Sequence, residues 1–257
     1  MMEFFALKKL TINMEKTKFM KFASYRDGLP NFNRLEIELN NTIFIVSSAD
    51  VIKYLGITID SHLRWDEHSD NIIKKIRSLF VKFKQLRNVC EESELFKIYY
   101  GLVQPHLSYG VLAWGSLADC HYRHIEIVQK FILKIIYRKN STFPTDDLFN
   151  MAEIFTVRQL YARALLIYQY ERRKQQPVNE RVIVGNLRDG TSLRVPFMKK
   201  TIGQKSFSYL SPILYNEISS IVRNCSSIKS FKRYIKKWIW QYGRNSINNF
   251  LKRNKFC

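Results

Sequence analysis

The stretch DVIKYLGITIDSHLRWDEH, residues 50–68, marks a change of period in the chain. Before Trp65 the apolar residues sit in short β-rich runs. After Trp65 they recur every three or four positions, as on one face of a helix. The stretch therefore reads as a strand, a turn and the start of a helix, with β structure on its N-terminal side and helices on its C-terminal side. That order predicts an α+β fold. KYLGITID reads as one strand, in which Gly56 marks a bulge.

Working back from this stretch, RLEIELNNTIFIV pairs two β-rich runs around Asn40-Asn41. Asparagine tolerates positive φ, so a hairpin is predicted there. TINMEKTKFMKF mixes a turn with a short strand, and MMEFFALKKL reads as the end of a helix. Working forward, Ile72, Ile73, Ile76, Leu79, Phe80, Phe83 and Leu86 share one helical face. ESELFKIYYGLVQPHLSYGVLAWG predicts a second helix, kinked or broken at Pro105. ADCHYRHIEIVQKFILKIIY predicts a third, apolar at Ile125, Val128, Ile132, Ile135 and Ile136. Ile76, Phe80, Phe83, Leu102 and Ile132 are the expected core of this helical unit. NSTFPTDDLFN reads as a linker and MAEIFTVRQLYARALLIYQYERRK as a fourth long helix. Residues 177–211, with their Gly and Pro, read as extended or loop-rich. SSIKSFKRYIKKWIWQYG closes the pattern as an amphipathic helix capped by Ser226 or Ser227. Its apolar face would hold Ile228, Phe231, Ile235, Trp238, Ile239 and Tyr242. Three segments are expected: a small β region at 1–65, a helical domain at 66–140, and a basic, mostly helical region at 141–257.

Charge bounds the function. The 257 residues carry 42 Lys+Arg against 22 Asp+Glu, a net +20. The excess is uneven: residues 141–257 hold 21 basic and 7 acidic side chains. Such a surface suits a polyanion, either nucleic acid or an anionic membrane. The four cysteines, at 90, 120, 225 and 257, are too scattered for a disulfide framework or a zinc finger. A reducing compartment, cytoplasmic or nuclear, is expected. No signal-like apolar segment stands at the N-terminus, and no apolar run approaches the ~20 residues of a membrane span.

The sharpest binding candidate is the last predicted helix. Lys229, Lys232, Lys236 and Lys237, with Arg233, lie off its apolar stripe. They can lie along phosphates, face an anionic membrane or remain solvated. Asp146-Asp147 follows Pro144 and precedes a helix, which fits capping better than metal chemistry. Cys120-His121-x-x-His124 lacks the further ligands a structural zinc site needs. VIVGNLRDGTSLRV has two glycines but forms neither a P-loop nor a dinucleotide fingerprint.

Four blocks together resemble the C-terminal part of the reverse transcriptases of non-LTR, LINE-type retrotransposons of the jockey or CR1-like sort. LTINMEKTKFMKF resembles the segment that follows the catalytic hairpin of the palm. KYLGITIDSHLRWDEHSDNIIKKI resembles the primer-grip strand leading into the first thumb helix. IYYGLVQPHLSYGVLAWG resembles the second thumb helix. LRVPFMKKTIGQKSFSYLSPILYNEI with SFKRYIKKWI resembles the segment that ends such reading frames, although Leu214-Tyr215-Asn216 stands where the family usually shows Trp-Asn. The resemblance implies a fragment of an RNA-directed DNA polymerase. The family's catalytic carboxylates lie upstream of these blocks, so no catalytic residue, metal ligand or cofactor is expected here, and Mg²⁺ would belong to the missing palm. The implied partner is primer–template, an RNA–DNA hybrid or a duplex, bound without polymerisation. The alternatives are a host-retained nucleic-acid-binding protein and an inert remnant. In this reading Tyr54 meets a sugar or phosphate, Leu55 packs inward, and Gly56 lets the backbone approach a phosphate. Lys16 would stand near the pyrophosphate leaving group by analogy with polymerases.

Overall fold

The computed structural model describes Leu7 and residues 13–23, 32–39, 42–175 and 192–253. The predicted helix end at 1–10 falls outside these residues apart from Leu7, and VIVGNLRDGT falls outside them entirely. The chain divides into two compact units, Met1–His68 and Ser69–Cys257, where three segments were expected. No division falls near residue 140.

The first unit is built from two antiparallel hairpins. Strands β1 (Arg34–Leu39) and β2 (Thr42–Ser47) pair with Leu39 opposite Thr42, so two residues connect them, as predicted at Asn40-Asn41. Strands β3 (Val51–Tyr54) and β4 (Ile57–Asp60) form the second hairpin. Here the single strand expected over KYLGITID is corrected. Leu55 and Gly56 both have positive φ, +45° and +81°, and make a two-residue turn. Positive φ at both central residues matches the right-handed twist of the flanking strands. The segment around Phe19 serves both hairpins. The Phe19 N–H donates to the Ser47 carbonyl at 3.3 Å, and the Ala23 N–H donates to the Ser61 carbonyl at 3.3 Å.

The second half of the opening stretch is organised by Asp60. Its carboxylate accepts the N–H groups of His62 (3.1 Å), Arg64 (2.9 Å) and Trp65 (2.7 Å). Those bonds hold a turn in which Leu63 and Trp65 take positive φ. The Trp65 side chain is buried, edge-on to the His68 ring.

The second unit is helical. Its first helix, α1 (Asp66–Ser78), is followed after a break at Leu79 by α2 (Phe80–Leu86). Then come α3 (Glu92–Leu102), α4 (Gln104–Ser108), α5 (Val111–Trp114), α6 (Asp119–Ile136), α7 (Thr145–Ala152) and α8 (Val157–Gln175). Beyond residue 192 lie α9 (Thr201–Gln204), α10 (Phe207–Asn216), α11 (Ser220–Arg223), α12 (Ile228–Tyr242) and α13 (Arg244–Arg253). The predicted break at Pro105 is present: Pro105 sits in the first turn of α4, where its missing N–H costs nothing.

Helix α8 is the axis of this unit. It packs against α4, α5, α6, α10, α12 and α13, so residues 69–140 and 141–257 share one core. An ion cluster ties α6 to α8. Arg158 is almost fully buried and meets Asp119 at 2.8 Å and Glu126 at 3.1 Å, with its guanidinium 4.5 Å from the Tyr122 ring centroid. Gly115 lies close under α8. A Cβ there would stand 2.2 Å from a Tyr161 ring carbon and 2.4 Å from the Val111 oxygen.

Four further expectations are corrected. Leu102 is exposed rather than core, because α3 ends there and turns it outward. Phe80 is half-buried, its ring 4.4 Å from Phe131. The fourth long helix starts at Val157, because Glu153 takes a left-handed φ of +48° and closes α7; the expected linker becomes α7 itself. Residues 192–200 are non-helical as expected, but 201–204 form α9 and 207–211 already belong to α10.

Candidate nucleic-acid interface

Each unit carries candidate nucleic-acid-binding residues of its own. In the first, the β3–β4 turn lifts Tyr54 and Leu55 to the tip, 63% and 71% exposed. The inward packing expected of Leu55 is thus corrected: the two-residue turn points it outward. Gly56 completes the tip, and Lys53, exposed, pairs with Thr58 just behind it. Lys16 stands elsewhere in this unit. It ends a short 3-10 turn, Met14–Lys16, which packs on β2 and is fastened when its N–H donates to Asn13 Oδ1 at 3.1 Å. Asn13 and Thr17 shape this turn, as the Thr17 hydroxyl donates to the Asn13 carbonyl at 2.8 Å. Lys16 and the Tyr54 tip therefore rest on different hairpins.

In the second unit the basic helix is α12. Ser227 is its N-cap, accepting the Ser230 N–H at 3.1 Å. Phe231, Ile235 and Ile239 are fully buried, one turn apart, as a core-facing stripe requires. Phe231 stacks on Tyr170 of α8 with ring centroids 4.2 Å apart. Trp238 and Tyr242 stack on each other at the edge of this stripe and are only half-buried. The basic end of α8 fixes the approach to α12. Arg173 donates to the Arg223 carbonyl at 3.2 Å, Lys174 to the Ser226 carbonyl, and the Tyr170 hydroxyl to the Cys225 carbonyl at 2.8 Å.

With one face so anchored, Lys229, Lys232, Arg233, Lys236 and Lys237 are all exposed. None of the four lysines forms an ion pair among the described residues. From Ile218 to Cys257 the sequence contains no Asp or Glu side chain. Arg233, Lys236 and Lys237 line a groove of about 410 Å³ with Trp240 and with Asn150 and Glu153 from the end of α7. The sequence reading passed over Trp240. Its spacing from Arg233, Lys236 and Lys237, at seven, four and three residues, places it on the basic side of α12 rather than the apolar one. Its ring is backed by Phe155 at 5.2 Å. An array of cations with an aromatic wall can hold phosphates by charge and a base or sugar by contact.

Asp146 and Asp147 occupy the first turn of α7, where negative charge complements the helix dipole. Neither makes a side-chain capping bond; Asp146 instead pairs with Arg244 at 2.5 Å. His121 Nδ1 lies 3.0 Å from Ser69 Oγ. Among the described residues no three His, Cys, Asp or Glu side chains converge as metal ligands. No described helix is long and apolar enough to cross a membrane.

Against known proteins, the RNA-directed DNA polymerase from the mobile element jockey of Drosophila melanogaster is 30% identical over 128 residues, 49% of this chain and 13% of that protein. The probable RNA-directed DNA polymerase from transposon X-element of the same fly is 27% identical over 109 residues, 39% of this chain and 12% of that protein. The jockey polymerase of Drosophila funebris is 28% identical over 95 residues, 36% of this chain and 10% of that one. Over a third to a half of its length, the chain is thus similar to RNA-directed DNA polymerases of jockey-type mobile elements. It spans about an eighth of the length of these jockey-type relatives or less. No family model matches it, and no solved structure does.

The blocks that carried the resemblance to the jockey type have structural reasons. In PHLSYGVLAWG, Gly110 takes a left-handed φ of +61° to open α5, and the Trp114 indole donates to the Tyr109 carbonyl at 2.8 Å. In LYNEI, Tyr215 is fully buried, and the Asn216 amide binds the backbone of Leu193 through both its oxygen and its nitrogen, each at 2.9 Å.

Proposed function

We propose that this chain is the primer-gripping and thumb part of a jockey-type reverse transcriptase, binding primer–template duplex or RNA–DNA hybrid without polymerising. The observation that carries the reading is the α12 face. Its buried stripe fixes the helix, its lysines form no ion pair among the described residues, Arg233, Lys236 and Lys237 line a groove with Trp240, and the last forty residues hold no acidic side chain. The β3–β4 tip adds a contact of another kind. Tyr54, Leu55 and Gly56 present an aromatic ring and a Cβ-free backbone, which suits the end of a strand better than a run of phosphates. Homology to polymerases of mobile elements supports the choice of nucleic acid over a membrane surface. Lys16 supplies general positive charge near the palm remnant.

Fluorescence-anisotropy titrations over a salt series test this. Binding through phosphates releases counterions, so log K falls with log salt by ~0.9 per phosphate contacted. Replacing Lys229, Lys232, Lys236 and Lys237 by Gln should flatten the slope on duplex by ~3, for three to four lost contacts. Tyr54→Ala should leave the slope unchanged and weaken the preference for a recessed 3′ end over a blunt duplex. Equal slopes for wild type and the four-Gln protein would show that α12 does not touch nucleic acid. Template-directed primer extension by the repurified chain would overturn the non-polymerising half of the proposal.

A further inference from the structure

A second basic cleft lies apart from α12, between α2 and α6, with a volume of about 270 Å³. Lys84, Arg87, Lys130, Lys134 and Lys139 line it together with Phe131, and no carboxylate does. The spacing forces these cations together. Lys84 and Arg87 are three residues apart, and Lys130 and Lys134 are four apart on α6, where like charges repel. Among the described residues, four of them meet neutral groups. Lys134 donates to the Ser141 carbonyl at 2.5 Å, and Lys130 to the Thr145 hydroxyl at 3.4 Å. Lys84 stands 5.9 Å from the Phe131 ring centroid, and Lys139 stands 4.9 Å from that of Phe143. None of the five has an ion pair among the described residues. Partial desolvation first, and Lys130 second, hold the Lys134 ammonium below the ordinary lysine range.

Phe131 supplies what a bare cation cluster lacks. Its ring is 41% exposed at the cleft and is braced from behind by Phe80. A fixed exposed ring surrounded by cations is the combination that holds unpaired nucleotides, the ring stacking a base while the cations track the backbone. The cleft is small and carries one such ring, which suits one strand rather than a paired duplex.

We propose that the α2–α6 cleft is a second nucleic-acid site that takes a single-stranded segment, with a base on Phe131 and phosphates on Lys84, Arg87 and Lys130. The proposal rests on the nucleic-acid reading above and adds to it a separate site with a different strand preference.

The test uses the full chain with two labelled probes, an oligouridine of about twelve nucleotides and a blunt DNA duplex of similar length. Three proteins are compared with wild type: Lys84→Gln/Arg87→Gln/Lys130→Gln, Phe131→Leu, and the four-Gln α12 protein. The triple variant should weaken oligouridine binding and flatten its salt slope by ~2, at ~0.7 per single-strand phosphate for three contacts. Its duplex slope should stay that of wild type. Phe131→Leu, which keeps the packing against Phe80, should weaken oligouridine about tenfold at an unchanged slope. Thermal melting confirms that each variant folds, and Lys84→Gln/Lys130→Gln replaces the triple if it does not. Oligouridine binding equal to wild type in either cleft variant overturns the proposal. If the α12 variant alone loses affinity, only this site is lost. If wild type binds neither probe, the broader reading falls with it.

Discussion

Leu55 and Gly56 share a left-handed turn, but only the glycine adopts it without steric cost. For leucine, the contact of Cβ with the backbone costs about 1–2 kcal/mol. Leu55→Asn should therefore stabilise the first unit by about 0.5–1 kcal/mol, read by urea unfolding, because asparagine tolerates this region. An unchanged or lower stability would mean that Leu55 gains from a contact at the tip. The same residue explains why the turn was missed. A two-residue loop puts Ile52 and Tyr54 on one face with Ile57 and Ile59, so the alternation slips by a single position, which so short a run does not display. Leucine is also a poor turn former, so nothing in its type announced one. Asn40-Asn41, by contrast, carried its own turn chemistry and was readable.

Helical elements were legible wherever an apolar stripe ran for several turns, as in α1, α6 and α12. The Ser227 cap also announced the start of α12, but the boundary between α7 and α8 was not legible. The sharp stop at Glu153 depends on a left-handed residue that its type does not predict. Burial separates two phenylalanines that looked alike in the sequence. Phe231→Ala should cost about 3–5 kcal/mol, as fully buried rings do. Half-buried Phe80→Ala should cost less than half as much, measured in the same denaturant series. Equal losses would contradict the packing described for α2. The cluster that joins α6 to α8 was invisible, since Arg158 and its carboxylates lie far apart in sequence. Burial pushes the Glu126 carboxyl above its ordinary 4.5, against the pull of Arg158. A raised carboxyl favours the folded state most when protonated. Its contribution is complete below 4.5 and is lost as the pH climbs through the raised value. The stability difference between wild type and Glu126→Gln should therefore shrink with rising pH over that window. A difference flat in pH would show that Glu126 titrates as it does in the unfolded chain.

For the whole molecule the governing quantity is a net charge of +20, most of it in the C-terminal half. That much suggests a polyanionic partner from composition alone. The α2–α6 cleft could not be read the same way, because Lys84 and Lys134 meet only once two helices pack. So much uncompensated charge disfavours the compact state, and a polyanion relieves it by binding. At low salt, heparin at about a hundred times its Kd should add roughly 2.7 kcal/mol. That amounts to a rise in Tm of about 5–10 °C for a chain of this size. The rise should vanish near 0.5 M salt, where the screening length falls to a few ångströms. A Tm that heparin does not move would mean that the cations are already compensated within the protein.

The Asn216 amide, finally, occupies both backbone groups of Leu193 as a neighbouring strand would, at a single β-bridge position outside the named strands. One side chain thus acts as a one-residue sheet partner. The Leu193 amide proton should then exchange with solvent slowly, although it lies outside any described helix or named strand. A deuterium-exchange profile would show an isolated slow amide there, tied to α10 and lost with the Asn216 side chain.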